Sequence, residues 1–436
     1  MQDESGRTFG SWSPLVVEMP ARVPPKFDYE VIDGCRSCGA APLETVLSMG
    51  DMPLSDGLVR PGADLNSEQM YPLTLVRCSQ CSLVQILETV PPETLFGKDY
   101  PYYSSFSDFL VDHARKNVET ILDRYPLSDE SLVVELASND GYLLQWFAKE
   151  RIPVLGIDPA PGPARAAEER GIPTICDFFT PELADRLVSE GRQADVIVGN
   201  NVLAHVPDQN RFVAGIERLL APGGTVVMEF PYVRDLIEHR EFDTIYHEHH
   251  CYFSVTSVKN LFARQGLDLV RVEHLPIHGG SLRATFQREG LPAPEVDEYL
   301  RQEEAYSLND ADFYADFAEA VNETRVRLVE LIDQLMKDGS TVAAYGAAAK
   351  GAIMLNYCKI GVERLAYVVD RNIHKQGWLM PGVHIPIVGP DRLATDPPDY
   401  LLILAWNFKD EIMRQQSAYS AGGGRFVVPV PEPVVL

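Results

Sequence analysis

The sequence predicts an α/β protein with a small N-terminal metal-binding domain followed by two doubly wound units. Three observations predict it. Two CxxC pairs fall at Cys35–Cys38 and Cys78–Cys81. From Ser131 to Phe230, short apolar runs alternate with helical stretches. A second series of the same kind opens at Thr341. Strands alternating with helices form a parallel sheet that binds its ligand at the strand C-termini.

At roughly 100–200 residues per domain, 436 residues make two or three domains. A hydrophobic share of 45% fills an ordinary core. The net charge of −25 argues against a nucleic-acid or anionic-membrane partner, yet it leaves room for a local basic pocket. Met1–Ser5 shows no apolar signal segment, and no apolar run reaches the roughly 20 residues of a bilayer span. A cytoplasmic protein is therefore expected, and its seven cysteines are not expected to form a disulfide framework.

The first domain is drawn at residues 1–105. Residues 1–30 carry Pro14, Pro20, Pro24 and Pro25 and read as a partly ordered arm. Cys35, Cys38, Cys78 and Cys81 offer four thiolates to one Zn²⁺. Four sulfurs leave no open position, so the zinc is expected to be structural. Met49–Asp56 reads as a loop that the metal orders. Asp99–Ser105 follows, with Tyr100, Tyr102 and Tyr103. An apolar core cannot take all these hydroxyls, so they face either solvent or a ligand in the next domain.

The middle domain is drawn at 106–290. Residues 108–124 read as a helix. Strands are predicted at Ser131–Leu136, Val154–Pro159, Pro173–Phe178, Ala194–Asn201 and Gly223–Phe230. The first ends in the tight turn Asn139-Asp140-Gly141, and the second and third end in Asp158 and Asp177. No GxGxxG is present, which counts against a pyrophosphate-binding turn. Asn200, Asn201 and His205 could line the cofactor pocket; equally, and by a narrow preference, His205 reads as a satisfied histidine at a helix start. After the fifth strand comes Glu241-Phe242-Asp243-Thr244-Ile245-Tyr246-His247-Glu248-His249-His250. Tyr, His and Glu move protons near neutral pH, and this cluster falls on the ligand side of the sheet. It is the candidate catalytic segment. His278-Gly279-Gly280-Ser281-Leu282-Arg283 then gives a glycine turn before a strand, suited to an anion contact or to a simple hairpin.

The third domain is drawn at 291–436. Asn309–Met336 reads as one long amphipathic helix. Thr341–Gly346 is a strand that opens through small residues into a helix at Lys350, and such a turn can receive phosphate oxygens. Ala366–Asp370 and Tyr400–Asn407 are further strands.

The strand spacing with its turn and two acids resembles a class I S-adenosylmethionine-dependent methyltransferase. That resemblance implies S-adenosyl-L-methionine held by Glu135, Ser138, Asn139, Asp140, Gly141, Asp158, Asp177 and Asn200. Asp158 would meet the ribose hydroxyls and Asp177 the adenine. All three parts together, over about residues 33–430, resemble the sugar C-methyltransferase family of deoxysugar pathways. The motifs that carry it are the paired CxxC, Asp99–Ser105, Glu135–Gly141, Tyr246–His249, His278–Arg283, Tyr345–Gly351 and Asp370–Gly377. The implied fold is a zinc-binding domain, a Rossmann-like methyltransferase domain and a second Rossmann-like domain that holds the nucleotide.

The implied reaction is C-methylation beside the ketone of a nucleotide-linked 4-keto sugar, expected to be dTDP-linked. His249 would be the base, with Tyr246, Glu248, Tyr100 and Tyr102 beside it, and Glu248 or Tyr246 orienting the imidazole. His278, Ser281, Arg283, Tyr345, Lys350, Asp370, Asn372 and Lys375 would bind the substrate. A monomer or homodimer is expected. Departures are a longer N-terminal arm and His250-Cys251, where an apolar or small residue and then Ser is expected in many relatives, so that either neighbouring histidine could share or replace the role of His249. Two other outcomes stay open: O- or N-methylation of another acceptor, and a non-methylating nucleotide-sugar-binding protein.

Overall fold

The computed structural model describes residues 29–95 and 103–436. The arm reading for residues 1–28, and Tyr100 and Tyr102, lie outside the described residues.

Each CxxC pair sits on a tight turn. The Gly39 N–H donates to the Cys35 carbonyl at 2.8 Å, and the Ser82 N–H to the Cys78 carbonyl at 3.0 Å. The turns bring all four sulfurs within 4.8 Å of one another. Zn–S bonds of about 2.3 Å in a tetrahedron put sulfurs roughly 3.8 Å apart, so the four thiolates fit one structural zinc. Behind them lies an antiparallel sheet in the order Cys251–Tyr252, Val84–Ile86, Met70–Arg77 and Glu44–Pro53. Met49–Pro53 is thus strand and not loop. It is ordered by pairing with Met70–Arg77, across an irregularity between Ser48 and Asp51. The edge strand Cys251–Tyr252 comes from the middle of the chain.

The middle domain carries a seven-stranded sheet. Its order is Asp268–Leu275, Ser281–Gln287, Leu220–Pro231, Ala194–Asn200, Val133–Leu136, Val154–Ile157 and Thr174–Ile175. The last five are parallel as expected, because Val133, Val134, Ile197, Val226 and Met228 are buried and the helices cover both faces. The first two make an antiparallel hairpin, so the sheet is mixed and the His278–Gly280 turn is the hairpin turn. The helix Asp108–Arg124 matches its expected bounds, with the Ser107 hydroxyl accepting the Leu110 N–H as its N-cap.

The third domain has a six-stranded sheet in the order Ile387–Val388, Val368–Val369, Val342–Tyr345, Tyr400–Ile403, Arg425–Val428 and Val434–Val435. Only its last pair is antiparallel. The expected single helix over Asn309–Met336 is two: Asp312–Ala315, then Phe317–Lys337 after a break at Asp316. Phe317, Val321, Leu328 and Ile332 form its buried stripe. Among the described residues, no helix is long and apolar enough to cross a membrane.

Purified protein should carry about one zinc per chain by elemental analysis. Cys35→Ser should lose the metal and lower the thermal midpoint, because metal binding and folding of so small a sheet are linked. Zinc-free wild-type protein with an unchanged midpoint would refute the site.

Candidate active site

A cavity of about 750 Å³ opens at the C-terminal ends of the middle sheet, and all three domains line it. That volume suits a small-molecule ligand pair rather than a single ion.

The middle sheet builds the first wall. After the strand Val133–Leu136 the chain turns sharply, with φ of 49° at Asn139 and 77° at Gly141. A Cβ on Gly141 would lie 3.0 Å from the Ile172 side chain, so glycine meets both the conformation and the contact. Asp158 braces this turn. Its carboxylate accepts the Asn139 and Ala160 N–H groups, each at 2.8 Å, and each oxygen keeps a second lone pair. Burial pushes its carboxyl up to about 6, which leaves it ionised at neutral pH. Asp177 is exposed and accepts the Phe178 N–H. Asn139, Asp158, Asp177 and Asn200 line the cavity.

Glu135, Ser138, Asp140 and Gly141 do not line it and build the turn from behind. Asp140 is held by Arg170 at 3.0 Å and by the Ser105 hydroxyl. Burial, with Asp158 and Asp140 nearby, holds the Glu135 carboxyl well above the carboxylate range. On the cavity wall itself, Asn200 Oδ1 and Asn201 Oδ1 are buried without a partner among the described residues. Native interiors pair such atoms, so this end of the cavity is built for a polar ligand.

The Tyr/His/Glu cluster forms the second wall. His249 Nδ1 lies 3.0 Å from the Thr244 carbonyl. A carbonyl only accepts, so Nδ1 carries the hydrogen and Nε2 carries the lone pair. The Tyr246 hydroxyl donates to Nε2 at 2.8 Å. Burial, then the neighbouring His205, hold His249 well below the usual histidine range. Of the two residues expected to orient the imidazole, Tyr246 is bonded to it and Glu248 is not; the Glu248 carboxyl accepts the Ser55 hydroxyl at 2.8 Å. Burial and the nearby Asp56 push Glu248 up to about 8, so it is mostly protonated at neutral pH.

His247 and His250 are fully buried and do not line the cavity. His247 Nε2 donates to the Pro72 carbonyl at 3.1 Å, inside the zinc domain. The His250 carbonyl accepts the Ile86 N–H at 3.0 Å. His205, expected to be a satisfied helix-start residue, is on the cavity wall, with its ring 4.7 Å from that of His249 in an edge contact.

The third domain closes the cavity. Lys350 Nζ lies 3.5 Å from the His278 carbonyl and 4.5 Å from the Trp406 ring centre. Lys375 Nζ donates to the Ala347 carbonyl at 2.8 Å and lies 3.5 Å from Asp56. His278, Lys350 and Lys375 line the cavity. The other residues expected to touch substrate do not, because each is committed elsewhere. The Ser281 hydroxyl donates to the Ile277 carbonyl at 3.1 Å. Arg283 is paired with buried Glu229 at 2.9 Å. Tyr345 accepts from Gln416 at 3.2 Å. Asp370 accepts the Ala347 and Asn372 N–H groups, each at 2.7 Å, and Asn372 accepts the His374 N–H, so both shape the loop that carries Lys375.

Sequence reasoning missed Ser55, Asp56, the Thr244 carbonyl and the bond from Trp406 Nε1 to Asp243 at 2.7 Å. A Ser-Asp pair after a strand carries no spacing signal, and a backbone carbonyl carries none at all.

Three family matches tile the chain: a zinc binding domain over residues 35–96, a methyltransferase domain over 110–272 and a C-methyltransferase C-terminal domain over 276–431. C-methyltransferase NovU of Streptomyces niveus is 37% identical over 408 residues, which is 93% of this chain and 97% of that one. The chain belongs to the C-methyltransferase family. A ubiquinone biosynthesis O-methyltransferase of Methylobacterium sp. (strain 4-46) is 32% identical over 109 residues, 23% of this chain and 43% of that one. A methyltransferase structure from Mesorhizobium loti aligns at 16% identity and a TM-score of 0.33, covering 41% of this chain and all of that one.

The enzyme is therefore an S-adenosylmethionine-dependent methyltransferase with a structural zinc. Asp158→Ala should weaken S-adenosylmethionine binding by calorimetry. The loss of a charged acceptor is worth roughly 1.5–3 kcal/mol, about 10- to 100-fold in affinity. Unchanged affinity would mean that another residue holds the ribose.

Proposed function

We propose that this methyltransferase adds a methyl group to the carbon beside the ketone of a nucleotide-linked 4-keto deoxysugar, expected to be dTDP-linked. One observation carries the reading: a neutral histidine on the cavity wall, fixed in one tautomer by a backbone carbonyl, keeps its lone-pair nitrogen beside a tyrosine hydroxyl. Oxygen and nitrogen acceptors need little help to become nucleophiles. A carbon next to a ketone needs a base and donors for the enolate oxygen. The family over residues 276–431, described as a C-methyltransferase C-terminal domain, supports the same choice. Lys350, Lys375 and the small-residue helix start at Ala348–Ala349 give the third wall the positive charge that a diphosphate requires.

In the reaction, the ketone oxygen competes for the Tyr246 hydroxyl. When the hydroxyl turns to it, the His249 Nε2 lone pair is left open to the adjacent C–H. The proton passes to Nε2, and the electron pair spreads onto the ketone oxygen. Among the described residues, the Tyr246 hydroxyl and the acid form of Glu248 are on the cavity wall as donors for that oxygen. S-adenosylmethionine, when bound, supplies a methyl group on a positively charged sulfur that leaves as a neutral thioether. The burial that keeps His249 neutral also makes it a weaker base, so enolate stabilisation by these donors has to offset the difference. Asp158, Asp177 and Asn200 hold the cofactor side, and Glu135, Ser138, Asp140 and Gly141 keep its turn in shape.

Proton removal does not need the methyl donor. With a dTDP-linked 4-keto-6-deoxy sugar and S-adenosylhomocysteine, wild-type enzyme should exchange the proton beside the ketone with deuterated solvent. His249→Asn should bind both ligands yet lose exchange and methylation together by about 10²–10⁴-fold. His247→Asn and His250→Asn should keep exchange and lose thermal stability, since both rings are buried away from the cavity. Exchange at the wild-type rate in His249→Asn would sink the assignment.

Activity should also depend on pH in a fixed sense. His249 must be neutral and Glu248 protonated. The profile of kcat/KM at saturating cofactor should be level around pH 7 and fall as pH rises through about 8, where Glu248 ionises. Glu248→Gln keeps a donor that does not titrate, so it should remove the alkaline fall; a fall that persists would assign that limb to another group.

A further inference from the structure

Asp56 follows the zinc-domain strand Glu44–Pro53, yet it lines the cavity together with Glu248, His205 and His249. The same short loop supplies Ser55, whose hydroxyl donates to Glu248 at 2.8 Å. From the opposite side Lys375 reaches within 3.5 Å of the Asp56 carboxylate while its ammonium is held at the Ala347 carbonyl, 2.8 Å away. Three domains therefore meet at a pair of carboxyl groups beside the base.

We propose that Asp56 is a positioning residue of the active site: its carboxylate, braced by Lys375, holds Glu248 in the acid form in which it can donate to the enolate oxygen. The inference rests on the carbanion reading above. The zinc domain is then a working wall of the site as well as a folding unit.

The physical basis is that two carboxyl groups facing one cavity do not both ionise freely, and the more buried one keeps the proton. Glu248 is the more buried, and it gains hydrogen bonds from Ser55 rather than a cation of its own. Lys375 Nζ lies 3.5 Å from Asp56 Oδ1, so its direct partner in the pair is Asp56 and not Glu248. The groups that act on the Glu248 carboxyl are Ser55 and Asp56 from the zinc loop, Lys375 from the third domain and Tyr252 from the middle domain, while His205 meets the Glu248 backbone. Burial favours the uncharged form of both His205 and Tyr252, so Asp56 and Lys375 are the charges that set the state of Glu248, with opposite signs.

Infrared difference spectra of the zinc-loaded full chain test this without any substrate. The protonated carboxyl band that Glu248→Gln removes should be present at pH 7 and fall by half near pH 8. Asp56→Asn removes the negative neighbour and should move that midpoint to lower pH by on the order of one unit. Lys375→Gln removes the positive neighbour and should move it to higher pH. With a dTDP-linked 4-keto-6-deoxy sugar, the alkaline limb of kcat/KM should follow the band in each variant and be absent when Glu248→Gln is added. A midpoint that stays fixed in Asp56→Asn, or that moves the same way in both variants, overturns the proposal. So does a uniform loss of activity across pH at unchanged zinc content, which would make Asp56 a packing residue. Loss of the reading for His249 would show as retained exchange in His249→Asn, and the infrared midpoints would still stand or fall independently.

Discussion

The strand pairing of Cys251–Tyr252 with Val84–Ile86 is the interaction on which the site depends. The polar segment before it has no apolar periodicity with which to bury itself. Sheet pairing buries it. Cys251 faces Gln85 and Tyr252 faces Val84, the Ile86 N–H reaches the His250 carbonyl, and the His250 N–H reaches the Ala204 carbonyl at 2.7 Å. Phe253 then bridges back to Tyr232 in the middle domain. At the other end of the segment, Trp406 of the third domain is bonded to Asp243, and Phe242 packs on Tyr357 with ring centres 5.2 Å apart. Backbone groups satisfied in this way let a polar segment stay buried, which an isolated loop cannot do.

Burial in turn sets the chemistry. Removing water disfavours charge, so histidines become neutral and carboxyl groups become acids. The same cause acts on His249, His205, Glu248 and Asp243, and pushes Asp243 up to about 7. Under the proposed reaction, these are the states that enolate formation needs, and they are held before any ligand arrives. Asp158 differs: two backbone N–H groups stabilise its charge and keep it ionised despite burial.

Charge in this protein is a local property. The chain carries −25 overall, yet Lys350 and Lys375 both reach the cavity. Neither ammonium stands alone. Lys350 has the Trp406 ring and a carbonyl, and Lys375 has a carbonyl and Asp56. Buried cations need such partners, and partial neutralisation by carbonyls leaves charge available for an anionic ligand.

Local patterns in the sequence determined the parts that depend on local chemistry. Paired CxxC spacing fixes a four-sulfur centre because two short turns suffice to present it. Apolar runs alternating with helices fix two doubly wound sheets, and the Asn139–Gly141 turn with Asp158 marks the ligand end of the first. The crowding of Tyr246, Glu248 and His249 marked the segment that lines the cavity. Tertiary structure alone decided which of three neighbouring histidines faces the cavity, because one residue's rotation along the chain turns a ring from ligand to core. It likewise decided that Glu248 serves Ser55 and not His249, that Arg283 serves Glu229, and that Asp56 joins the site across 193 residues from Ser55 to Glu248. Those choices follow from strand pairing between distant segments, and long-range pairing leaves no periodicity in the residues that it brings together.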